Sequence, residues 1–245
     1  VRALRQAHGL APKLAIVVTI DNPVTEIYVK KKKQYGADIL IDVDIHSVKQ
    51  SEAKELLKNL AADDSVYGII VQLPIEDPSE TEEIVNLVPP EKDVDGLGKD
   101  PKHDPATPMA ILWLLAGYNV DLNAKHVLLV GRGKLVGGPL EKMLIASGID
   151  VQVADKFTTD LRAETLKATG VHGVIQPDMI KDGAVVVDAG VASEGGKTVG
   201  DLAPEVYERE DLTLTPLKGG VGPLTVCALF ENVIRAAQHR AEQQS

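Results

Sequence analysis

The first residues that suggest chemistry are four glycines between positions 131 and 138. They follow an apolar run, residues 126–130, which is typical of a parallel strand buried on both faces. A helical pattern begins near Pro139, and a strand, glycine turn and helix in this order place a dinucleotide pyrophosphate at the helix N-terminus. The spacing departs from G-x-G-x-x-G, because three residues separate Gly133 from Gly137. The pattern favours a nucleotide site, with a tight structural turn as the alternative.

A second candidate is the pair Tyr28 and Lys32 on a predicted helix, residues 24–35. Residues four apart lie on one face of a helix, so the two side chains are expected to be neighbours. A lysine desolvated in a cleft has a lowered pKa and can move a proton near neutral pH. Lys32 also belongs to a run of four lysines, residues 30–33. Taken alone, that run favours a solvated helix face.

Strands and helices alternate along the chain, and their order predicts how these residues are positioned. Strand patterns occur at residues 14–20, 39–45, 67–73, 126–130, 151–154, 183–190 and 212–217. Helical periodicity occurs at residues 24–35, 47–62, 78–88, 109–116 and 225–238, and residues 157–169 are expected to hold a further helix and strand. Residues 92–108, rich in Asp, Gly and Pro, predict a functional loop. The order indicates an α/β fold with mainly parallel sheets, divided into two domains near residue 118.

Composition argues against several classes of partner and site. The net charge of −10 opposes nucleic-acid binding, which needs a basic face. No apolar run approaches the ~20 residues of a membrane-spanning helix. Cys227 is the single cysteine, so no internal disulfide or thiolate metal cluster is expected, and a reducing compartment such as the cytoplasm is favoured. The chain opens within a predicted helix, so a removed targeting peptide remains the alternative.

Six short motifs occur at helix and strand ends along the chain. They are Tyr28-Val29-x-x-Lys32, Val71-Gln72-Leu73-Pro74, Lys92-Asp93-Val94-Asp95-Gly96, Pro105-x-Thr107-Pro108, Gly131-Arg132-x-x-x-Val136-Gly137 and Gly219-Gly220-Val221-Gly222-Pro223. The motifs occur in the order found in the methylenetetrahydrofolate dehydrogenase/cyclohydrolase family, which the chain resembles from about residue 12 to residue 238. One such motif is weakly specific, whereas six in sequence are highly specific.

The resemblance implies an architecture and a pair of reactions. The implied fold has an N-terminal α/β catalytic domain, residues 1–118, completed by a returning C-terminal helix in residues 224–245. A Rossmann-type NAD(P)-binding domain, residues 119–223, lies between, and folate binds in the cleft. Members of the family oxidise 5,10-methylenetetrahydrofolate with a nicotinamide cofactor and hydrolyse the methenyl product to 10-formyltetrahydrofolate, which supplies purine biosynthesis. They are usually homodimers.

The same resemblance implies roles for individual residues. Lys32 is the implied general acid/base, with Gln72 holding it in place. Read from its position alone, Gln72 is equally an amide that caps a nearby backbone group at a strand end. Asp95 is the implied acceptor for the amino edge of the pterin, whereas Asp93 is expected to organise the loop. The implied substrate contacts are Tyr28, Gln72, Asp95, Gly220 and Pro223.

The cofactor contacts implied by the resemblance contain conflicting signals about NADP and NAD. These contacts are Gly131, Arg132, Gly133, Val136, Gly137, Asp155, Lys156 and Val191. An acid at the end of the second strand, Asp155, commonly binds the ribose hydroxyls of NAD. Arg132 and Lys156, the residue after Asp155, are cations that can bind the 2′-phosphate of NADP. The two cations outnumber the one carboxylate, so NADP is the predicted cofactor and NAD the alternative.

Several departures from the family pattern keep other functions open. Gly133 stands where serine is usual, and Lys218 where proline is usual. The segment 160–170 is shorter than its counterparts, which weakens the expected cofactor domain. One alternative is therefore a protein that keeps a single activity, with the cyclohydrolase favoured. Another is a non-catalytic folate- or nucleotide-binding regulator, against which the joint presence of Tyr28, Lys32, Gln72 and Asp95 argues.

Overall fold

The computed structural model describes residues 1–3, 6, 9–154, 175–190, 192–194 and 197–243. The α-helices described there are α1 (Pro23–Asp38), α2 (Gln50–Ala62), α3 (Thr81–Val85), α4 (Ala106–Gly117), α5 (Gly137–Ala146) and α6 (Val221–Gln243). The strands are β1 (Lys13–Val18), β2 (Asp42–Ser47), β3 (Gly68–Val71), β4 (Val127–Val130), β5 (Val151–Ala154), β6 (Val185–Val186), β7 (Ala192–Glu194), β8 (Lys197–Val199) and β9 (Thr213–Leu214). The helix and strand expected in residues 157–169 lie outside the described residues, as do Asp155, Lys156 and Val191.

The chain forms two compact units. The first comprises Val1–Ala106 and Val226–Ser245, and the second comprises Thr107–Thr225. Helices alternate with parallel strands in both, which confirms the predicted α/β class. The division places α4 beyond Ala106 in the second unit, whereas the predicted boundary near residue 118 places that helix in the first domain.

The first unit is built on a parallel sheet with strand order β2-β1-β3. In the central strand β1, Leu14 pairs with Val43 on one side and with Gly68 on the other. Residues 14–17 are at most 1% exposed, as expected for a strand covered on both faces. On one face the sheet packs against the apolar stripe of α2, which includes Ala53, Leu57 and Leu60. Parallel strands end at the same edge, so the residues that follow β1 and β3 are neighbours.

The C-terminal helix contributes its apolar stripe to this core. The buried members of the stripe are Val226, Leu229, Phe230, Val233 and Ala237. The rings of Phe230 and Tyr35 of α1 lie 5.2 Å apart, with their planes tilted by 52°. The predicted amphipathic helix is therefore confirmed, although it begins at Val221. Pro223 fits the first turn, where no helical hydrogen bond needs its missing N–H.

The second unit departs from the sequence analysis in its strands. β4 pairs in parallel with β5, as predicted. However, Leu128 is 56% exposed, so the expectation that this strand is buried on both faces is wrong. The apolar run shows that these residues are hydrophobic, whereas their burial depends on which elements pack against each face of the strand. The strands predicted at residues 183–190 and 212–217 reduce to the two-residue parallel pair β6 and β9.

Two further element boundaries differ from the predicted ones. The strand predicted at 39–45 begins only at Asp42, because α1 continues to Asp38 and Leu40 then adopts a left-handed conformation with φ 64°. The helix predicted from residue 109 begins at Ala106. In the part of the chain that the structure describes, no helix has both the length and the apolar character needed to cross a bilayer.

Candidate functional site

Lys32 is the buried lysine of an otherwise exposed basic run. Its residue is 8% exposed, whereas its neighbours Lys31 and Lys33 point to solvent. Helical periodicity explains the difference, since Val29, Lys32 and Gly36 recur at three- and four-residue spacing on the inner face of α1. The reading of Lys32 as a solvated charge is therefore wrong. A buried ammonium group needs a partner, and one is present.

Gln72 is that partner, at the carboxyl end of β3. The Lys32 Nζ donates a hydrogen bond of 2.8 Å to the Gln72 Oε1. The Gln72 Nε2 donates to the backbone oxygen of Leu73 at 3.0 Å, which turns the amide oxygen toward the lysine. The Gln72 backbone N–H donates to the Val17 oxygen and so ties the residue to the central strand. The two alternatives for Gln72, lysine partner and backbone cap, are both realised.

Asp95 shares the electrostatic environment of Lys32. Desolvation lowers the pKa of Lys32, and the nearby Asp95 charge partly opposes that shift. Desolvation likewise raises the pKa of Asp95, with Lys32 opposing the shift and Asp93 reinforcing it. Burial thus drives both groups toward their neutral forms. A lysine in this state exchanges a proton closer to neutral pH than a solvated lysine does.

The loop that carries Asp95 is organised by Asp93. The Asp93 carboxylate accepts hydrogen bonds from the backbone N–H groups of Gly96 at 3.0 Å and Gly98 at 2.8 Å. Gly96 has φ 68°, and a Cβ at this position would lie 2.8 Å from the His103 backbone oxygen. The loop therefore requires glycine there. The structural role predicted for Asp93 is confirmed.

Tyr28 lies one turn before Lys32 on α1 and is half-buried. Burial raises the pKa of its phenol, so the hydroxyl stays protonated at neutral pH. The Lys31 Nζ lies 5.8 Å from the ring centroid. Thr25, one further turn toward the N-terminus, is buried at 4% exposure and shares this face. Thr25 is not among the predicted site residues, although its three-residue spacing from Tyr28 places it on the same helix face.

The glycine turn of the second unit depends on a close backbone approach. A Cβ at Gly137 would lie only 1.9 Å from the Gly131 backbone oxygen, so no larger residue fits without a shift of the loop. The Gly138 N–H donates to the Gly133 oxygen at 3.1 Å, and the Gly131 N–H donates to the Ala154 oxygen at 2.8 Å. These contacts hold the turn against β5 and the start of α5. No side-chain hydrogen bond caps α5, whose N-cap residue is Val136.

Arg132 lies within this turn and is held by α5. Its Nε donates to the Glu141 Oε2 at 2.9 Å, and its Nη2 donates to the Oε1 at 2.7 Å. This bidentate pair fixes the plane of the guanidinium group beside the N-terminus of α5. The Arg132 side chain is 53% exposed. The turn therefore joins a fixed cation to a glycine-lined helix N-terminus, a combination suited to phosphate groups.

The remaining predicted contacts lie at the start of α6. Gly220 precedes the helix and Pro223 lies in its first turn. Both belong to the second unit, whereas Tyr28, Lys32, Gln72 and Asp95 belong to the first. Across the described ranges, no group of three or more His, Cys, Asp or Glu side chains is arranged to hold a metal ion.

Family profiles match both parts of the chain. Residues 1–95 match the catalytic domain of the tetrahydrofolate dehydrogenase/cyclohydrolase family, and residues 105–241 match its NAD(P)-binding domain. Among curated relatives, the bifunctional protein FolD of Exiguobacterium sibiricum is 36% identical over 248 residues, covering 94% of this chain and 90% of that protein. FolD of Hydrogenobaculum is 36% identical over 250 residues, with the same coverage.

Solved structures give the same result for the fold. A crystal structure of the FolD dehydrogenase/cyclohydrolase of Campylobacter jejuni has a TM-score of 0.85 at 33% identity, covering 98% of this chain and 92% of that one. The FolD structure of Trypanosoma brucei, complexed with NADP and an inhibitor, has a TM-score of 0.87 at 25% identity, covering 98% and 91%.

Proposed function

We propose two consecutive folate reactions for this chain, which belongs to the tetrahydrofolate dehydrogenase/cyclohydrolase family. It oxidises 5,10-methylenetetrahydrofolate to the methenyl form and hydrolyses that product to 10-formyltetrahydrofolate. The observation that carries the proposal is the buried pair of Lys32 and Gln72 in the same desolvated environment as Asp95. A regulator that only binds folate has no use for a lysine with a lowered pKa.

Lys32 is the proposed proton carrier. In its neutral form the amine accepts a proton from the water that adds to the methenyl carbon. The resulting ammonium passes this proton to the ring nitrogen as the bond between that nitrogen and the carbon breaks. The hydroxyl on the carbon releases its own proton to solvent as the formyl C=O forms. The Gln72 Oε1, 2.8 Å from the Nζ, accepts one N–H of the lysine and so restricts the direction of its lone pair. The lysine must be able both to accept and to donate a proton. Desolvation favours this, because it lowers the pKa of Lys32 and makes the neutral amine accessible closer to pH 7.

Asp95 and Tyr28 are the proposed folate-binding residues of the first unit. A carboxylate can accept both N–H donors of the pterin amino edge, which is a strong and directional interaction. Tyr28 offers an aromatic face for packing against the substrate, one turn from the lysine. Gly220 and Pro223 are proposed as further substrate contacts on the strength of the family motif.

The glycine turn fits a nicotinamide dinucleotide. A bound nicotinamide would supply the hydride acceptor for oxidation of the methylene carbon. The close approach of Gly137 to Gly131 forms the tight turn before α5, whose N-terminus suits a pyrophosphate, and Arg132 supplies a fixed cation for the 2′-phosphate. NADP is therefore the proposed cofactor, and the NADP complex of the Trypanosoma brucei relative supports this choice. Gly133 and Val136 complete the turn, while Lys156, Asp155 and Val191 remain proposed contacts from the sequence.

Neither alternative function gains support from these observations. The relatives named above are bifunctional proteins, and this chain covers about nine-tenths of their length. We also propose a homodimer in the cytoplasm that supplies formyl groups for purine biosynthesis, on the family resemblance. Analytical ultracentrifugation tests the dimer, and a sedimenting mass of one 26.2 kDa chain at micromolar concentration would contradict it.

The decisive assay follows both reactions in one purified preparation. Reduction of NADP, and of NAD in parallel, measures the dehydrogenase with methylenetetrahydrofolate as substrate. Loss of methenyltetrahydrofolate without any nicotinamide measures the cyclohydrolase. We expect both activities, with NADP preferred. A preparation that hydrolyses the methenyl compound but reduces neither nicotinamide would show that the dehydrogenase was lost.

A further inference from the structure

A buried asparagine holds the loop that carries Asp95. Asn232 lies on α6 and is 0% exposed. Its Nδ2 donates one hydrogen bond to the Val94 backbone oxygen at 2.9 Å and a second to the Asp104 backbone oxygen at 2.8 Å. Val94 immediately precedes Asp95, and Asp104 closes the same loop. One side-chain amide therefore ties both ends of the loop to the C-terminal helix.

The start of the loop has a separate attachment. The Lys92 Nζ donates to three carbonyl oxygens at the C-terminal end of α2, those of Leu60, Ala61 and Asp63. The Lys92 backbone oxygen also accepts from the Ile69 N–H in β3 at 2.8 Å. None of these bonds involves Asn232. They fix the backbone before Asp93, not the residues after it.

The bonds within the loop do not replace the asparagine. The Asp93 carboxylate binds the N–H groups of Gly96 and Gly98, which are members of the same loop. Such bonds keep the loop's shape but do not fix its position relative to the rest of the unit. The Val94 side chain is buried and packs beside Gly68 of β3, which restrains the segment on one side. The two bonds from Asn232 add a polar restraint from the C-terminal helix on the backbone that flanks Asp95.

We propose that Asn232 is a positioning residue for the folate reactions, which sets the location of Asp95 through the Val94 and Asp104 carbonyls. The inference rests on the proposed function, because it assumes that Asp95 binds folate. Loss of the amide would leave the buried Val94 carbonyl oxygen and the part-buried Asp104 carbonyl oxygen without their donor, and the loop would shift to find them new partners. A carboxylate displaced by a fraction of an ångström no longer meets both donors of the pterin edge.

The primary test replaces the amide by an apolar side chain of similar shape, Asn232→Leu. We expect the Kd for tetrahydrofolate and the KM for the methylene substrate to rise by about 10- to 100-fold. Turnover at saturating substrate should fall much less, and the Kd for NADP should keep its parent value. Asn232→Ser, too short to span both carbonyls, carries the same expectation should the leucine variant fail to fold.

The matched control is Val233→Ala on the same helix. Val233 is also 0% exposed, and its truncation leaves a cavity without removing a donor. We expect a lower melting temperature with parent folate affinity. A folate Kd raised equally in Val233→Ala and in the Asn232 variants would reduce the role of Asn232 to stability and overturn the proposal.

A double-mutant cycle shows whether the effect passes through Asp95. In an Asp95→Ala background, Asn232→Leu should cause no further loss of folate affinity, whereas two independent effects would multiply. Effects that multiply would overturn the positioning role. So would a folate affinity equal to the parent's in Asn232→Leu, provided that Asp95→Ala alone binds folate weakly. Parent affinity in Asp95→Ala would instead overturn the proposed folate contact, and the positioning role with it.

Discussion

The Lys32 site and the glycine turn place charge in opposite environments. Lys32 is 8% exposed and relies on a neutral amide, whereas the Arg132 side chain is 53% exposed and bound to a carboxylate. Burial shifts the pKa of Lys32 downward, because desolvation penalises the ammonium form. In the glycine turn, backbone geometry decides the shape and the ion pair is screened by solvent. The first unit therefore offers desolvated side chains for the proposed chemistry, and the second offers a close backbone approach.

This contrast predicts a separation of the two activities. The cyclohydrolase needs no nicotinamide, so changes in the glycine turn should spare it. Changes at Lys32 or Asp95 should spare nicotinamide binding. The expected losses of activity and affinity also differ in size. A buried polar group that loses its hydrogen-bond partner costs more free energy than an exposed one.

The largest effect is expected for Lys32→Met, which removes the amine and keeps a side chain of similar length. A general acid/base contributes about 100- to 10,000-fold to rate, so hydrolysis of methenyltetrahydrofolate should fall by that factor. Lys33→Met, an exposed neighbour in the same run, is the control and should behave as the parent. Hydrolysis at the parent rate by Lys32→Met would remove the lysine from the mechanism.

Asp95→Asn should give the next largest loss, because it places an amide donor where the pterin needs an acceptor. We expect folate binding weakened by about 2 kcal/mol, the scale of a charged hydrogen bond left unpaired. Isothermal titration with folate and with NADP separates the two units. If NADP binding weakens as much as folate binding in this variant, the expected separation of the two units is wrong.

Gly137→Ala tests the backbone side of the comparison. The added Cβ would meet the Gly131 oxygen, and overpacking of this kind costs about 1–3 kcal/mol. NADP affinity should fall by the corresponding ~5- to 150-fold, while hydrolysis of methenyltetrahydrofolate is retained. Gly117→Ala, where nothing lies within 4 Å of the added carbon, is the control. Equal NADP affinity in both variants would show that the close approach is irrelevant to binding.

The smallest effect is expected for Arg132→Ala, since this cation is half-exposed. The preference for NADP over NAD, measured as the ratio of kcat/KM values, should fall by about tenfold, or ~1.4 kcal/mol. Arg132→Lys retains the charge but loses the bidentate geometry, so its ratio should lie between those of the parent and Arg132→Ala. An unchanged ratio in the alanine variant would assign cofactor choice to Lys156 and Asp155 instead.

The sequence by itself determined the fold class, the order of the motifs and the faces of the main helices. Each of these depends on patterns over a few neighbouring residues. The four-residue spacing of Tyr28 and Lys32, the glycine turn and the apolar stripe of α6 were all readable in this way. The same patterns located most elements to within a few residues, but not the lengths of β6 and β9, which have two residues each where longer strands were predicted.

The family motifs singled out Lys32 and Gln72, but only the tertiary structure showed that Lys32 is the buried lysine of the four and that the two side chains are in contact. Gln72 is 40 residues from Lys32 along the chain, and Asn232 is 138 residues from Val94. Local periodicity carries no information about such pairs, because they form only when separate elements pack together. The exposure of Leu128 has the same origin, since hydrophobicity belongs to the residue whereas burial belongs to its surroundings. Desolvation, and with it the lowered pKa of Lys32, is therefore a property of the packed unit.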